Sequence, residues 1–185
     1  LNQLIFERPG KMEKTDFAAA PCPVARSLER VGEWWNILIL RDCFYGLARF
    51  DEFQRSLGIS TNLLTRRLNQ LVDDELLQRR QYCERPPRYE YVLTDKGRDF
   101  RPVLFALVAW GNRHFAPEGA TIEVHDSVTG LAVEPVLIDG LTGEPLTEER
   151  HHIGAGPAAT ESTFRRLAFA EARRNQQATM TGEAQ

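Results

Sequence analysis

Two short amphipathic helices joined by a tight glycine turn constrain this chain more than any other feature. Asp51 is placed to cap the first, with Gln54 three residues on as a capping box, and Phe53 and Leu57 fall on its inner face. Gly58 stops it in the way a left-handed C-cap requires. Ser60 is placed to cap the next helix only two residues later. Two short helices joined by so tight a glycine turn are the sequence form of a helix-turn-helix.

The helix that starts at Ser60 carries the most information. Leu64, Leu68, Leu71 and Val72 form its apolar stripe at helical spacing. Successive residues about 100° apart put Asn62, Arg66, Asn69 and Asp73 on the opposite face, with Thr65 and Gln70 flanking. Ser60, Thr61 and Arg67 complete the polar groups near that face. Such a face is by default a solvated surface. Its neighbour changes the reading. Residues 78–83 and 89–93 read as two strands around a turn at residues 84–88. Pro86-Pro87 bars ladder pairing there, so the tip is expected to project as a loop. The loop holds Arg85 and Arg88, and the first strand holds Arg79 and Arg80. A basic ribbon directly after a polar-faced helix suits a protein that grips phosphates on both sides of a groove. A solvated charge cluster remains the plainer alternative.

Helical patterns flank this motif. Val24, Leu28 and Val31 lie on one stripe from Pro23, Gly32 interrupts, and Trp34, Ile37, Leu38 and Leu40 continue to about Gly46. Thr94 is placed to cap a later helix that bears Phe100, Val103, Leu104, Leu107, Val108 and Trp110, with Pro102 expected to kink or restart it. So wide an apolar face on a small domain needs a partner, and a second subunit is the simplest. Residues 117–157 turn to short β-like runs, at 122–124, 131–133 and 136–138. Here residues 126–130 (Asp-Ser-Val-Thr-Gly) are echoed by residues 139–143 (Asp-Gly-Leu-Thr-Gly). That spacing is a zinc ribbon's, with each cysteine replaced by Asp or Thr, poor substitutes for thiolates. It reads as a metal-free remnant in which aspartates bond their own backbone. His125, His151 and His152 do not restore a zinc site. Phe164, Leu167, Ala168 and Glu171 then point to a terminal amphipathic helix with Arg165, Arg166, Arg173 and Arg174 outside, and the last ten residues read as disordered.

Composition limits the function classes. The 185 residues carry a net charge of −3, which mildly disfavours DNA binding, although a local basic patch can coexist with an acidic body. No apolar run is long enough to span a bilayer, and no secretion signal opens the chain, so a cytoplasmic location is expected. The sequence begins at Leu1, and Met12 is a candidate native start. Three scattered cysteines, Cys22, Cys43 and Cys83, do not make a disulfide framework.

The order and spacing of several short runs resemble those of the HxlR-type regulators, relatives of the MarR winged helices. The runs are residues 22–25 (Cys-Pro-Val-Ala), 35–41, 49–53 (Arg-Phe-Asp-Glu-Phe), 58–60 (Gly-Ile-Ser), 63–68 with Leu71, 86–91 (Pro-Pro-Arg-Tyr-Glu-Tyr), Leu93-Thr94, Gly97 and Trp110-Gly111. The resemblance implies a dimer held by the N-terminal helix and the helix after the wing. It implies duplex DNA as partner, read by the helix from Ser60 and touched by the Arg85 to Arg88 wing. The sequence departs from the pattern at Asp74-Glu75, where the family usually has glycine. Cys22 stands in the family's Cys-Pro motif, where some members sense oxidants or electrophiles. A thiol at a helix N-terminus is drawn toward thiolate by the macrodipole. A small packed residue with no signal to carry is the alternative, and Cys43 is expected to be core.

The expected fold is α+β: a mainly helical winged helix-turn-helix with a two-stranded wing, a small β-rich appendage and a terminal helix. Its expected divisions are an arm at 1–20, the DNA-binding and dimerisation domain at 21–116, the appendage at 117–157, and the helix and tail at 158–185. The expected function is a dimeric DNA-binding regulator on an inverted-repeat operator that answers a redox, electrophile or small-molecule effector, with no cofactor, metal or membrane. The candidate DNA contacts are Ser60, Thr61, Asn62, Thr65, Arg66, Arg67, Asn69, Arg79, Arg80, Arg85 and Arg88, with Cys22 as the candidate sensor. Two other classes compete. A thiol enzyme would use Cys22, but a nucleophile needs a base, and no histidine precedes His114. An interaction module that has lost DNA binding would suit the acidic charge, and would shift no genomic fragment in a gel.

Overall fold

A computed structural model describes residues 17–182, with side chains described as far as residue 176. Residues 1–16 of the expected arm and the last three residues of the expected tail lie outside the described residues. The elements run α1 (Pro23–Val31), α2 (Trp34–Phe44), α3 (Phe50–Leu57), α4 (Thr61–Asp73), β1 (Leu77–Glu84), β2 (Pro87–Leu93), α5 (Asp95–Arg98), α6 (Arg101–Phe115), β3 (Val124–His125), β4 (Ala132–Val133) and α7 (Glu161–Gly182). The described residues divide into two compact units, residues 30–154 and residues 17–29 with 155–182. The division falls within α1, and the appendage belongs with the helix-turn-helix body.

The larger unit forms around leucines of α4. Leu64, Leu68 and Leu71 are completely buried, and Ile39 and Leu40 of α2, Phe53 of α3 and Leu77 of β1 meet them in one core. Fully burying such side chains is worth about 1.5–3 kcal/mol each, so this cluster dominates the unit's stability. Gly58 adopts φ +61 and ends α3 as the sequence requires. The start of α3 differs from expectation. Arg49 is the N-cap, and Glu52 reaches back to accept from the backbone N–H of Ala48 (2.9 Å) and Arg49 (2.8 Å). Those two bonds hold the Glu52 carboxyl below its ordinary pKa. Asp51 sits inside the helix and pairs with Arg55 instead (2.9 Å), because the longer glutamate at N3 spans back to the free amides. Ser60 occupies the N-cap of α4, but its hydroxyl makes no capping bond.

The wing also departs from expectation. β1 and β2 pair as far as Glu84 with Pro87, with a bulge at Tyr82, so Arg85 and Pro86 alone form the turn, across a cis peptide. Proline is tolerated because β2 there is an edge, where a missing N–H faces no ladder partner. Nearer its other end β2 gains a second neighbour that the sequence did not signal. Tyr91 N donates to Ala48 O (2.7 Å), and Arg49 bridges Glu90. Thr94 caps α5 as expected, accepting from Gly97 N (3.0 Å) while its hydroxyl donates to Glu75 O (2.6 Å). The helix restarts at Arg101 with Pro102 in its first turn.

In the appendage the strands are only two residues long, Val124 with Val133 and His125 with Ala132, and the run at 136–138 reduces to a bridge between Ile138 and Pro145. No residue of 117–154 is buried, so nothing beneath these strands extends them. The two echoed turns match in detail. Asp126 Oδ1 accepts from Val128 N (2.7 Å) and Thr129 N (3.0 Å), and Asp139 Oδ1 from Leu141 N (2.8 Å). Gly130 and Gly143, at φ +70 and +74, each donate to the carbonyl of their aspartate at 2.8 Å.

In the smaller unit, Phe17 N donates to Glu29 Oε2 (3.3 Å), tying residue 17 to α1. α7 begins where Phe164 N bonds Thr160 O (3.0 Å), and it runs to Gly182, well into the stretch read as disordered. Alanine, glutamine and methionine in that stretch are good helix formers, which the disorder reading underweighted.

Candidate nucleic-acid interface

Gly58 and Ile59 bring α3 and α4 close enough for Gln54 Nε2 to reach Thr61 Oγ1 (3.0 Å), pinning the turn. Thr65 Oγ1 donates to Thr61 O one turn on (2.9 Å). With the leucine stripe inward, Asn62, Thr65, Arg66, Asn69 and Asp73 all lie exposed, as do Ser60 and Thr61. Among the described residues Arg66 has no ion pair, so its guanidinium faces solvent with its donors uncommitted.

Arg67 is the correction on this helix. It is buried, its Nη2 lies 2.6 Å from Glu33 Oε2, and its Nη1 donates to Gln70 Oε1 (3.1 Å). One residue is about 100° of helix rotation, enough to carry it off the polar face and against the start of α2. It leaves the set of candidate contacts.

The wing places its arginines unequally. Arg85 and Arg88 stand exposed at the tip, with no ion pair among the described residues. Arg79 stacks over the Tyr89 ring, 3.7 Å from its centroid, which fixes the guanidinium but leaves its edge open. Arg80 is tied to Glu90 at 2.7 Å, and this compromises it as a phosphate ligand. Arg49, which was not among the candidate contacts, lies over Tyr82 at 4.6 Å and braces the ribbon. A helix with exposed amide and guanidinium donors, beside a stiffened ribbon with two free cations, can pair hydrogen bonds to base edges with charge on phosphates.

The turn from α4 into β1 resolves the departure at Asp74-Glu75. Glu75 adopts φ +60, the left-handed conformation for which glycine is the usual residue. Leu76 N bonds back to Leu71 O (2.9 Å), so the turn closes as a glycine would close it, at a steric cost. Gly97 is required for another reason. A Cβ there would lie 2.1 Å from Leu76 O.

The cysteines separate. Burial, and then the neighbouring Asp42 charge, push the Cys43 thiol up to about 12, so it is inert packing. Cys22 precedes α1, partly exposed, and N–H donors from Ala25 and then Val24 draw its pKa down, with help from Arg166. Cys83 Sγ faces Arg85 O in the wing turn. Among the described residues no group of His, Cys, Asp and Glu could hold a metal, and no helix is long and apolar enough to cross a membrane.

Residues 30–119 match the HxlR-like helix-turn-helix family. The HTH-type transcriptional regulator Rv3095 of Mycobacterium tuberculosis is 39% identical over 135 residues, 72% of this chain and 85% of that one. Two solved structures designated transcription factors are also similar. PA1374 of Pseudomonas aeruginosa is 53% identical at a TM-score of 0.56, over 78% of this chain and 99% of its own. PA1607 is 38% identical at a TM-score of 0.69, over 77% and 100%. The chain is a transcriptional regulator with a helix-turn-helix fold, and it belongs to the HxlR-like family.

Proposed function

We propose that this regulator is a homodimer that reads an inverted-repeat operator with α4 and grips the flanking phosphates with the wing. The observation that carries this reading is the exposed face of Asn62, Thr65, Arg66 and Asn69 beside a ribbon tipped by Arg85 and Arg88. A dimer is supported by apolar side chains left only partly covered. Val24 and Leu28 of α1 are 63% and 55% exposed, and Val103, Leu107 and Trp110 of α6 are 48%, 40% and 54% exposed. Two-fold protein symmetry calls for two-fold DNA, with half-sites about 10 base pairs apart or a multiple of that.

Arg66→Ala and Arg88→Ala test the assignment, with affinity for a selected operator and for random duplex measured across salt. Arg66→Ala is expected to cost about 1–3 kcal/mol on the operator and little on random DNA. Arg88→Ala should weaken both alike and flatten the salt slope by about one. If both variants keep the selected site and its affinity, this surface does not read DNA.

Cys22 is the proposed receptor for the signal, supported by its partial exposure and by the N–H donors that favour its thiolate. With a quinone, the thiolate adds to a ring carbon. A C–S bond forms, the electron pair moves to the carbonyl oxygen, and that oxygen takes a proton from water. Among the described residues the groups acting on the thiol are backbone amides and Arg166, none of them a general base, so Cys22 is read as a sensor rather than as an enzyme's nucleophile. Quinone treatment should change operator affinity at least tenfold in the native chain and leave Cys22→Ser unaffected. Equal responses would remove Cys22 from the mechanism.

A further inference from the structure

The reading helix is clasped at two points by the corner where α1 gives way to α2. Arg67, in the middle of α4, reaches Glu33 Oε2 at 2.6 Å, and Glu33 is the N-cap of α2. Arg30, in the last turn of α1, lies with Nε 3.0 Å from Asp74 Oδ1 at the C-cap of α4. The corner itself is braced by Asn36, completely buried, whose Nδ2 donates to Arg30 O (2.8 Å). Arg67 is short of partners. Its Nε is buried with no hydrogen bond, and Glu33 is its one ion-pair partner among the described residues. A buried guanidinium held by one half-exposed carboxylate is sensitive to that carboxylate's position, because without it the charge is uncompensated.

We infer that Glu33 and Arg67 are positioning residues that set the rotation of α4, so that sequence discrimination depends on two side chains that do not touch DNA. The inference rests on the proposal that α4 reads the operator. Base-edge hydrogen bonds need donors placed within about half an ångström, and a helix turned by 10–20° loses them while phosphate contacts survive. The leucine stripe holds α4 against the core by non-directional contacts. A directed ion pair about 100° round from Arg66 adds an angular constraint on the polar side. Movement at the start of α2 would therefore reach the bases through Arg67.

The test compares Glu33→Gln, Arg67→Met and the double variant. Operator and random-duplex affinities are measured beside denaturant unfolding, and amide exchange is followed on the DNA-free protein. Glu33→Gln is expected to lower the operator-to-random ratio at least tenfold, with random-DNA affinity changed less than twofold. Exchange should quicken along α4 and not in the wing. The double variant should be no worse than Arg67→Met, since both remove one pair. A ratio within twofold of the native value in Glu33→Gln overturns the inference. So does a loss confined to Arg67→Met, which would make Arg67 itself the DNA contact. If the native chain binds no operator, the DNA-reading proposal fails separately, and unchanged α4 exchange in Glu33→Gln still overturns the clasp.

Discussion

Leu64, Leu68 and Leu71 keep no contact with water in the winged-helix body, whereas Val128 and Leu141, at the tips of the appendage's two turns, keep 92% and 97% of theirs. The body takes its shape from residues distant in sequence that bury one another. The appendage takes its shape from aspartates bonded to amides two and three residues on. One kind of order is cooperative and long-range, the other local, and local order opens without unfolding the whole. The lesson concerns where each can carry function. The body can hold a helix such as α4 in a fixed position, while the appendage, with no buried residue, has only local order.

The sharpest break of that contrast is Leu68→Ala set against Leu141→Ala. The first should cost about 2–5 kcal/mol in denaturant unfolding and the second within about 0.5 kcal/mol. Comparable losses would mean the appendage shares the core. Next comes Gly97→Ala, where the added methyl meets the Leu76 carbonyl at 2.1 Å. Backbone must move, and a loss of about 1–3 kcal/mol is expected by thermal or denaturant unfolding. Glu75→Gly runs the other way. Glycine holds the same left-handed position without a Cβ clash, which relieves about 1–2 kcal/mol, offset by roughly 0.5–1 kcal/mol of glycine's chain entropy. A gain of a few tenths to 1 kcal/mol should raise the denaturation midpoint, and no gain would mean the pairing of Glu75 with Lys96 (3.5 Å) already compensates.

The smallest effect is in acid. Backbone donors lower the pKa of Glu52 in the body and of Asp126 and Asp139 in the appendage. Depressed carboxyl values stabilise the fold above the unfolded-state value, and that contribution is lost as pH falls through the folded value. The window opens below 4.5 for Glu52 and below 3.8 for the two aspartates. Amide exchange should quicken in the two appendage turns below pH 3.8 while the core amides of α4 stay protected. Simultaneous loss in both regions would erase the distinction between local and cooperative order.

Much of this was legible in one dimension. The periodicity of Leu64, Leu68 and Leu71, the left-handed Gly58 and the Thr94 cap are local consequences of side-chain spacing and backbone sterics, and they stand where the sequence put them. So do the paired Asp turns, because an aspartate that bonds amides two or three residues on needs no help from elsewhere. The candidate contacts on α4 were legible only to within one residue of rotation, which is why Arg67 stood among them. Which way a flanking arginine turns depends on whether a carboxylate waits nearby, and Glu33 is more than thirty positions earlier in the chain. The pairing of Ala48 and Arg49 with β2 and the ion pair that ties Arg80 to Glu90 are of the same kind. Helical period, caps and tight turns were determined by the sequence alone, because their energies arise between residues a few positions apart. The partners of the arginines were decided only by the tertiary structure, because a charge is satisfied by whatever the fold brings within about 3 Å of it.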